Sequence, residues 1–150
     1  MSNHRKMDRT ESRLRLESQS GGVGRLAFNT ESGPTIYPVN FTVDGQAVVF
    51  RTSANSGLGA LSWGIDVAFE VDHLDPKTRE GWSVVVKGYA EIVDNPADQD
   101  RLRSLRRQPQ PWADGPRPMY VRIPWHEITG RVVGRDWLGA PRPDAGTLLH

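Results

Sequence analysis

The stretch Thr35-Ile36-Tyr37-Pro38-Val39-Asn40-Phe41-Thr42-Val43-Asp44-Gly45-Gln46-Ala47-Val48-Val49-Phe50-Arg51-Thr52 reads as a β-hairpin. Side chains alternate across a strand, so Tyr37, Val39, Phe41 and Val43 share one face and Ile36, Pro38, Asn40 and Thr42 the other. Asp44-Gly45 supplies the two positive-φ positions of a type I′ turn. Thr35–Val43 and Ala47–Thr52 are therefore the two arms. Working outward, Val23–Asn29 reads as a preceding strand closed by the turn Glu31-Ser32-Gly33-Pro34. Downstream, Asp66–Asp72 places Val67, Phe69 and Val71 on one face. Gly81–Val93 is a long strand whose run Val84-Val85-Val86 suggests burial on both faces. Within it Gly88 marks a bulge or sharp bend. Met119–Trp125 and Glu127–Gly134 form one last strand, interrupted at Pro124.

The remaining segments are short. Residues 1–7 read as a frayed end. Asp8-Arg9-Thr10-Glu11 has capping-box spacing, opening a helix over about 9–18 with Leu14 as its apolar anchor. Asp94 or Asn95, followed by Pro96, opens a second helix over about 97–107 with Leu102 and Leu105 inward. Residues 53–65 form a small-residue loop in which Leu58, Leu61 and Ser62 make one or two helical turns. His73–Glu80 is a polar loop containing Pro76, and 108–118 is a proline-rich extended loop. The expected organisation is an N-terminal arm and short helix over 1–20, a barrel domain over 21–135 and a flexible tail over 136–150. Six or seven strands joined by short turns, with two or three short helices, indicate a mainly β fold: a small antiparallel barrel, which leaves few free strand edges.

Composition narrows the chemistry. The 150 residues carry 19 basic and 18 acidic side chains, for a net charge of +1, and no cysteine. Near-neutral charge argues against nucleic acid bound by bulk electrostatics. The absence of cysteine removes disulfides, thiolate metal sites and cysteine nucleophiles, and fits a reducing, cytoplasmic setting. No apolar run reaches the ~18 residues of a membrane span. His4, His73, His126 and His150 show no metal-ligand spacing, and no nucleophile elbow or phosphate-binding Gly-rich loop is present. Of the basic residues 16 are arginine, and five tryptophans accompany them. That pairing suits a recognition surface, and equally reflects a GC-rich genome.

The features with chemical promise lie at strand ends. Arg51-Thr52 opens into Asn55-Ser56-Gly57, an arginine and hydroxyls beside free loop amides, suited to a phosphate. Ser83 and Lys87 share one face of their strand roughly 13 Å apart, able to line one long ligand or to form a plain solvated face. Asn40 is either a satisfied core amide or an amide edge that reads a heterocycle.

The phrases Val23-Gly24-Arg25-Leu26-Ala27-Phe28, Tyr37-Pro38-Val39-Asn40-Phe41, Val49-Phe50-Arg51-Thr52 and Val67-Ala68-Phe69-Glu70-Val71-Asp72 occur in this order. Gly81-Trp82-Ser83-Val84-Val85-Val86-Lys87-Gly88 and Ile128-Thr129-Gly130-Arg131 follow. Together they resemble the pyridoxamine 5′-phosphate oxidase-like family of flavin-binding split barrels, in its small bacterial branch with nitroimidazole-resistance-type proteins. The resemblance spans about residues 20–135. It implies a six-stranded antiparallel split β-barrel and a homodimer with FMN in each of two inter-subunit clefts. By position, Arg51, Thr52 and Ser56 fall near the ribityl phosphate, and Asn40 and Phe41 border the isoalloxazine. Ser83 approaches the flavin from the partner subunit, Lys87 lies further along that strand, and Arg131 contacts the cofactor from the last strand. Trp112 in the proline loop is placed to cover the ring. One departure stands out: relatives carry lysine in a Gly-Thr-Lys-Leu phrase, where this chain has Asn55-Ser56-Gly57-Leu58.

The resemblance implies an FMN-dependent oxidoreductase acting with a small-molecule substrate or electron donor, with no side chain assigned a catalytic role and no metal. The alternative is a non-catalytic carrier or sensor of flavin, deazaflavin or haem, which glycine in place of lysine favours. A third reading, an oligonucleotide-binding barrel, rests on the arginines and tryptophans and is opposed by the charge balance.

Overall fold

The computed structural model describes residues 4–53, 64–112 and 115–134. In chain order it contains β1 (His4–Met7), α1 (Arg9–Ser18), β2 (Val23–Thr30), β3 (Gly33–Asp44), β4 (Ala47–Thr52), β5 (Ile65–Asp75), β6 (Glu80–Ile92), α2 (Pro96–Arg103) and β7 (Met119–Val133). The strands run β1-β7-β4-β3-β2-β5-β6, and β6 also pairs with β7. Six antiparallel strands, β2 to β7, thus close a ring, and β1 is added outside it along β7.

Two long strands make closure possible by changing partners. β3 pairs with β2 through Asn40 and with β4 from Phe41 onward. At the switch Phe41 donates its N–H to Gly22 O (3.1 Å) and accepts from Gly21 N (2.7 Å), so neither backbone group is stranded. On one edge β7 pairs with β4 from Met119 to Pro124 and then with β1 from Gly130 to Val133, while β6 lies along its other edge from Val121 to Val133. Pro124 does not break the strand. It stands where β7 exchanges partners, and Trp125 N donates to Gln46 O (3.1 Å). The bulge foreseen at Gly88 is present: Lys87 opposes Glu127 but Gly88 opposes Trp125, leaving His126 as the extra residue. A Cβ on Gly88 would lie 2.2 Å from Pro124 O, so only glycine lets the two backbones come this close.

The core follows the period-two pattern. Leu26, Phe28, Phe41, Phe50, Phe69, Trp82, Val84, Val86 and Ile123 are buried inside the ring. The Phe41 ring meets Phe69 edge-on at 4.9 Å. A second small core of Val49, Val93, Leu102 and Tyr120, with Leu105 against it, lies between α2 and the outer side of β4 and β7.

Five expectations need correction. The β3–β4 turn is Gly45-Gln46, closed by the pair Asp44 and Ala47, and only Gly45 has positive φ (61°), so Asp44-Gly45 is not a type I′ pair. Residues 4–7 are not frayed but form β1, because the second half of β7 offers an edge and Arg5 is anchored to Glu11 (3.0 Å). Leu14 is not the anchor of α1: it is 52% exposed, whereas Leu16 is fully buried with Ser12 and Arg15 beside it. The buried Arg15 guanidinium lies 5.7 Å from the Trp82 ring centroid, and burial lowers its pKa from the ordinary value. The loop after β5 is shorter than 73–80, since pairing runs on to Asp75 opposite Glu80. α2 ends at Arg103 with Ser104 as its cap, short of 107, because the Gln108 amide donates to Leu102 O (2.8 Å) and Arg103 O (3.1 Å) and so satisfies its last carbonyls. Expectations for Leu58, Leu61 and Ser62 and for the tail over 136–150 lie outside the described residues.

Candidate functional site

The residues singled out in the sequence fall into two groups on different parts of the ring. The first surrounds the β3–β4 end and the proline-rich loop. Asn40 sits at the partner switch of β3. Its Oδ1 accepts from Trp112 N (3.2 Å), while its Nδ2 is buried and makes no hydrogen bond. Trp112 itself is 83% exposed. Arg51 Nε donates to Arg117 O (3.0 Å), and its guanidinium lies 5.5 Å over the Tyr120 ring. Tyr120 Oη bonds Gln108 Oε1 (3.1 Å), so the start of the loop is held to β7 and its end to Arg51 of β4. The terminal nitrogens of Arg51 have no hydrogen-bond partner among the described residues. Thr52 is buried opposite Met119, and Phe41 is a core residue. Ser56 and Gly57 lie outside the described residues.

The second group occupies the outer face of β5, β6 and the second half of β7. Ser83 stands between Asp72 of β5 and Arg131 of β7, and Arg131 stands beside Lys6 of β1. This gives one cross-strand row, Asp72–Ser83–Arg131–Lys6. Lys87 lies two rows further along, between Ala68 and Glu127, and pairs with Glu127 at 3.3 Å. It borders a crevice of about 450 Å³ lined by Ala27, Ala68, Asp66, Gly88 and His126. No hydrogen bond or ion pair among the described residues joins the two groups.

The sequence reading missed a third cluster. β2 pairs with β5 so that Arg25 opposes Glu70. Arg25 Nη1 lies 3.7 Å from Glu70 Oε1 and 3.7 Å from Asp72 Oδ2. Burial and the adjoining Asp72 push the Glu70 carboxyl up to about 7, against the pull of Arg25. Glu70 Oε1 is buried without a hydrogen bond. The signal was partly visible: with Val67, Phe69 and Val71 inward, Glu70 and Asp72 had to share the outer face. What could not be seen was that β2 would bring Arg25 to them. Among the described residues no group of three or more His, Asp or Glu is arranged to hold a metal ion. No helix there is long and apolar enough to cross a membrane.

Residues 8–132 match the family model for pyridoxamine 5′-phosphate oxidase. The chain is 35% identical over 133 residues to the uncharacterized protein Rv0080 of Mycobacterium tuberculosis, covering 85% of this chain and 84% of that protein. Its fold is similar to that of an FAD-binding protein from Mycobacterium smegmatis, with a TM-score of 0.74 and 30% identity over 87% of this chain and 99% of the other. A conserved protein of unknown function from Corynebacterium diphtheriae is similar at a TM-score of 0.70 and 32% identity, covering 88% of this chain and 99% of that one. The chain belongs to the pyridoxamine 5′-phosphate oxidase family, and its closed ring of β2 to β7 is that family's split barrel.

Proposed function

We propose that this protein binds a flavin through the mononucleotide shared by FMN and FAD, in a cleft between two copies of the chain, and uses it as an oxidoreductase. The observation that carries the reading is Asn40. Its buried Nδ2 lacks an acceptor while its Oδ1 is already held by the Trp112 amide, so the amide's N–H donors are left for the edge of a heterocycle. Arg51 supports it, held by Arg117 O and Tyr120 with its terminal nitrogens available for a phosphate. The residues present fit a flavin: Arg51 would take the phosphate, with Thr52 buried beside it, and Asn40 the ring. Ser83 and Arg131 lie on another face, so they would serve a flavin held by the partner copy. The FAD-binding neighbour at 30% identity supports a flavin as the ligand class.

When bound, the flavin would supply hydride or electron transfer, while the protein binds, orients and shields it. No acid or base need come from the chain. The test is titration of FMN and FAD by fluorescence quenching, with light scattering for assembly. Micromolar binding by a dimer is expected, with a ten- to hundredfold loss in Arg51→Ala, the worth of a charge-assisted contact of ~1.5–3 kcal/mol. A strict monomer, or unchanged fluorescence at high protein concentration, refutes the reading. A carrier without turnover is the second reading, favoured by glycine at 57. It predicts a loaded protein that stays inert to NADPH and reduced deazaflavin with several electron acceptors. A Soret band in the purified protein would point to haem instead.

A further inference from the structure

The cluster of Arg25, Glu70 and Asp72 plays no part in the reading above, yet it adjoins the residues that do. Asp72 is the direct cross-strand neighbour of Ser83, and Arg131 stands one strand beyond. Strands lie ~4.8 Å apart and residues ~3.4 Å along a strand, so Asp72 is roughly 10 Å and Glu70 roughly 12 Å from Arg131 along the sheet. Two carboxyl groups face one guanidinium here, and the nearer oxygen of Glu70 is shut away from water without a hydrogen bond. The other elements around Glu70 do not offer a second cation at its own level. β6 presents Val85 in register, flanked by Ser83 and Lys87, and Lys87 is engaged by Glu127. β7 presents Thr129 opposite Val85, with Arg131 and Glu127 to either side, and β3 presents Pro38 opposite Arg25. One arginine balances one carboxylate, so the geometry suits a pair that retains a proton.

We propose that Glu70 and Asp72 hold one proton between them under Arg25, and that its release weakens binding of an anionic cofactor on the face carrying Ser83 and Arg131. This rests on the flavin reading, because it regulates that same site. The elevated titration of Glu70 places the change near neutral pH. One added negative charge roughly 10–12 Å from Arg131, and so from the anionic cofactor that Arg131 would contact, in a partly solvated setting, predicts a three- to tenfold loss of affinity.

The experiment measures FMN dissociation constants from pH 5.5 to 8.5 for the wild-type protein, Glu70→Gln and Asp72→Asn, with carbon-detected NMR titration of the Glu70 carboxyl. The phosphate's own second ionisation near pH ~6 is common to all three proteins and cancels in the comparison. The expected result is a Glu70 midpoint near neutrality and a three- to tenfold affinity loss in the wild type that is absent in Glu70→Gln. Asp72→Asn removes the competing carboxyl and should bring the Glu70 midpoint down. A Glu70 midpoint in the ordinary carboxylate range overturns the shared proton. Equal pH dependence in wild type and Glu70→Gln overturns the coupling but leaves flavin binding intact. Absence of FMN binding at every pH overturns the flavin reading and the coupling together, and the NMR titration still decides whether the proton is shared.

Discussion

Replacing Gly88 by alanine tests whether the β6–β7 seam is as rigid as its geometry requires. The new Cβ would sit 2.2 Å from Pro124 O and 3.0 Å from both Pro124 C and Ile123 Cγ2. An ordinary carbon–oxygen contact is about 3.3 Å, so roughly 1 Å of movement is needed, and the obstacle is backbone rather than a flexible side-chain end. The seam closes the ring, and β7 is held on its other side by β4, so Pro124 cannot retreat without disturbing that pairing too. Overpacking of this kind costs about 3 kcal/mol, the upper end of the usual range. For a chain of this size each kcal/mol moves Tm by ~2–4 °C, so a fall of about 6–12 °C is expected. Gly45→Ala is the comparison. Gly45 has φ +61° with nothing within 4 Å of an added Cβ, so its cost is conformational alone, about 1 kcal/mol. Calorimetric or circular-dichroism melts of both variants measure the difference. A Gly88→Ala protein that melts no lower than Gly45→Ala would refute the argument, showing that the bulge at His126 yields to the added methyl group.

Two further outcomes follow from charge. Gly57→Lys introduces the basic residue that the family resemblance leads one to expect after the Arg-Thr pair, and FMN affinity should rise ten- to hundredfold by fluorescence titration; unchanged affinity would show that a lysine at 57 adds no phosphate contact. Glu70 also predicts a pH-dependent stability. Its folded pKa of about 7 exceeds the ordinary 4.5, so the folded chain holds a proton that the unfolded chain has released. Stability from this group is full below pH ~4.5 and is lost as pH rises through ~7, by about 1–2 kcal/mol once the partial exposure of Glu70 is discounted. Denaturant melts at pH 5 and pH 8 should show this loss in the wild type and not in Glu70→Gln.

What was legible in the sequence was whatever a segment settles by itself. The β3–β4 hairpin was readable because glycine at 45 marks a tight turn, although the turn pair is Gly45-Gln46 and not Asp44-Gly45, and because the alternation around Phe41 and Phe50 assigns each side chain a face. Gly88 was readable as a bulge because a bare glycine inside an apolar strand has few other uses. β1 was not readable: His4-Arg5-Lys6-Met7 carries no strand signal, and its pairing comes entirely from the exposed edge of β7. The choice of Leu16 over Leu14 depends on where the barrel end lies, which a ten-residue helix cannot encode. The carboxyl cluster failed for the same reason. Each of Arg25, Glu70 and Asp72 could be placed outward, but β2 and β5 are separated in sequence by two strands, and their pairing is a property of the closed ring.

The same distinction governs the candidate site. Sequence position brought Asn40, Arg51, Ser83 and Arg131 into one list, whereas the ring separates them. Asn40 and Arg51 adjoin the proline-rich loop, and Ser83 and Arg131 lie on the outer face of β6 and β7. A barrel with a filled interior cannot bring opposite outer surfaces together, because Trp82, Phe41, Phe50 and Phe69 occupy the space between them. A single ligand touching both groups therefore needs two copies of the chain, each giving one face. Arg51→Ala and Arg131→Ala then damage opposite halves of each cleft. Mixing the two variants should regenerate one intact cleft in each heterodimer and return up to a quarter of the wild-type FMN sites at random assortment. Mixed samples that bind no better than either variant alone would show that the two groups do not serve one ligand.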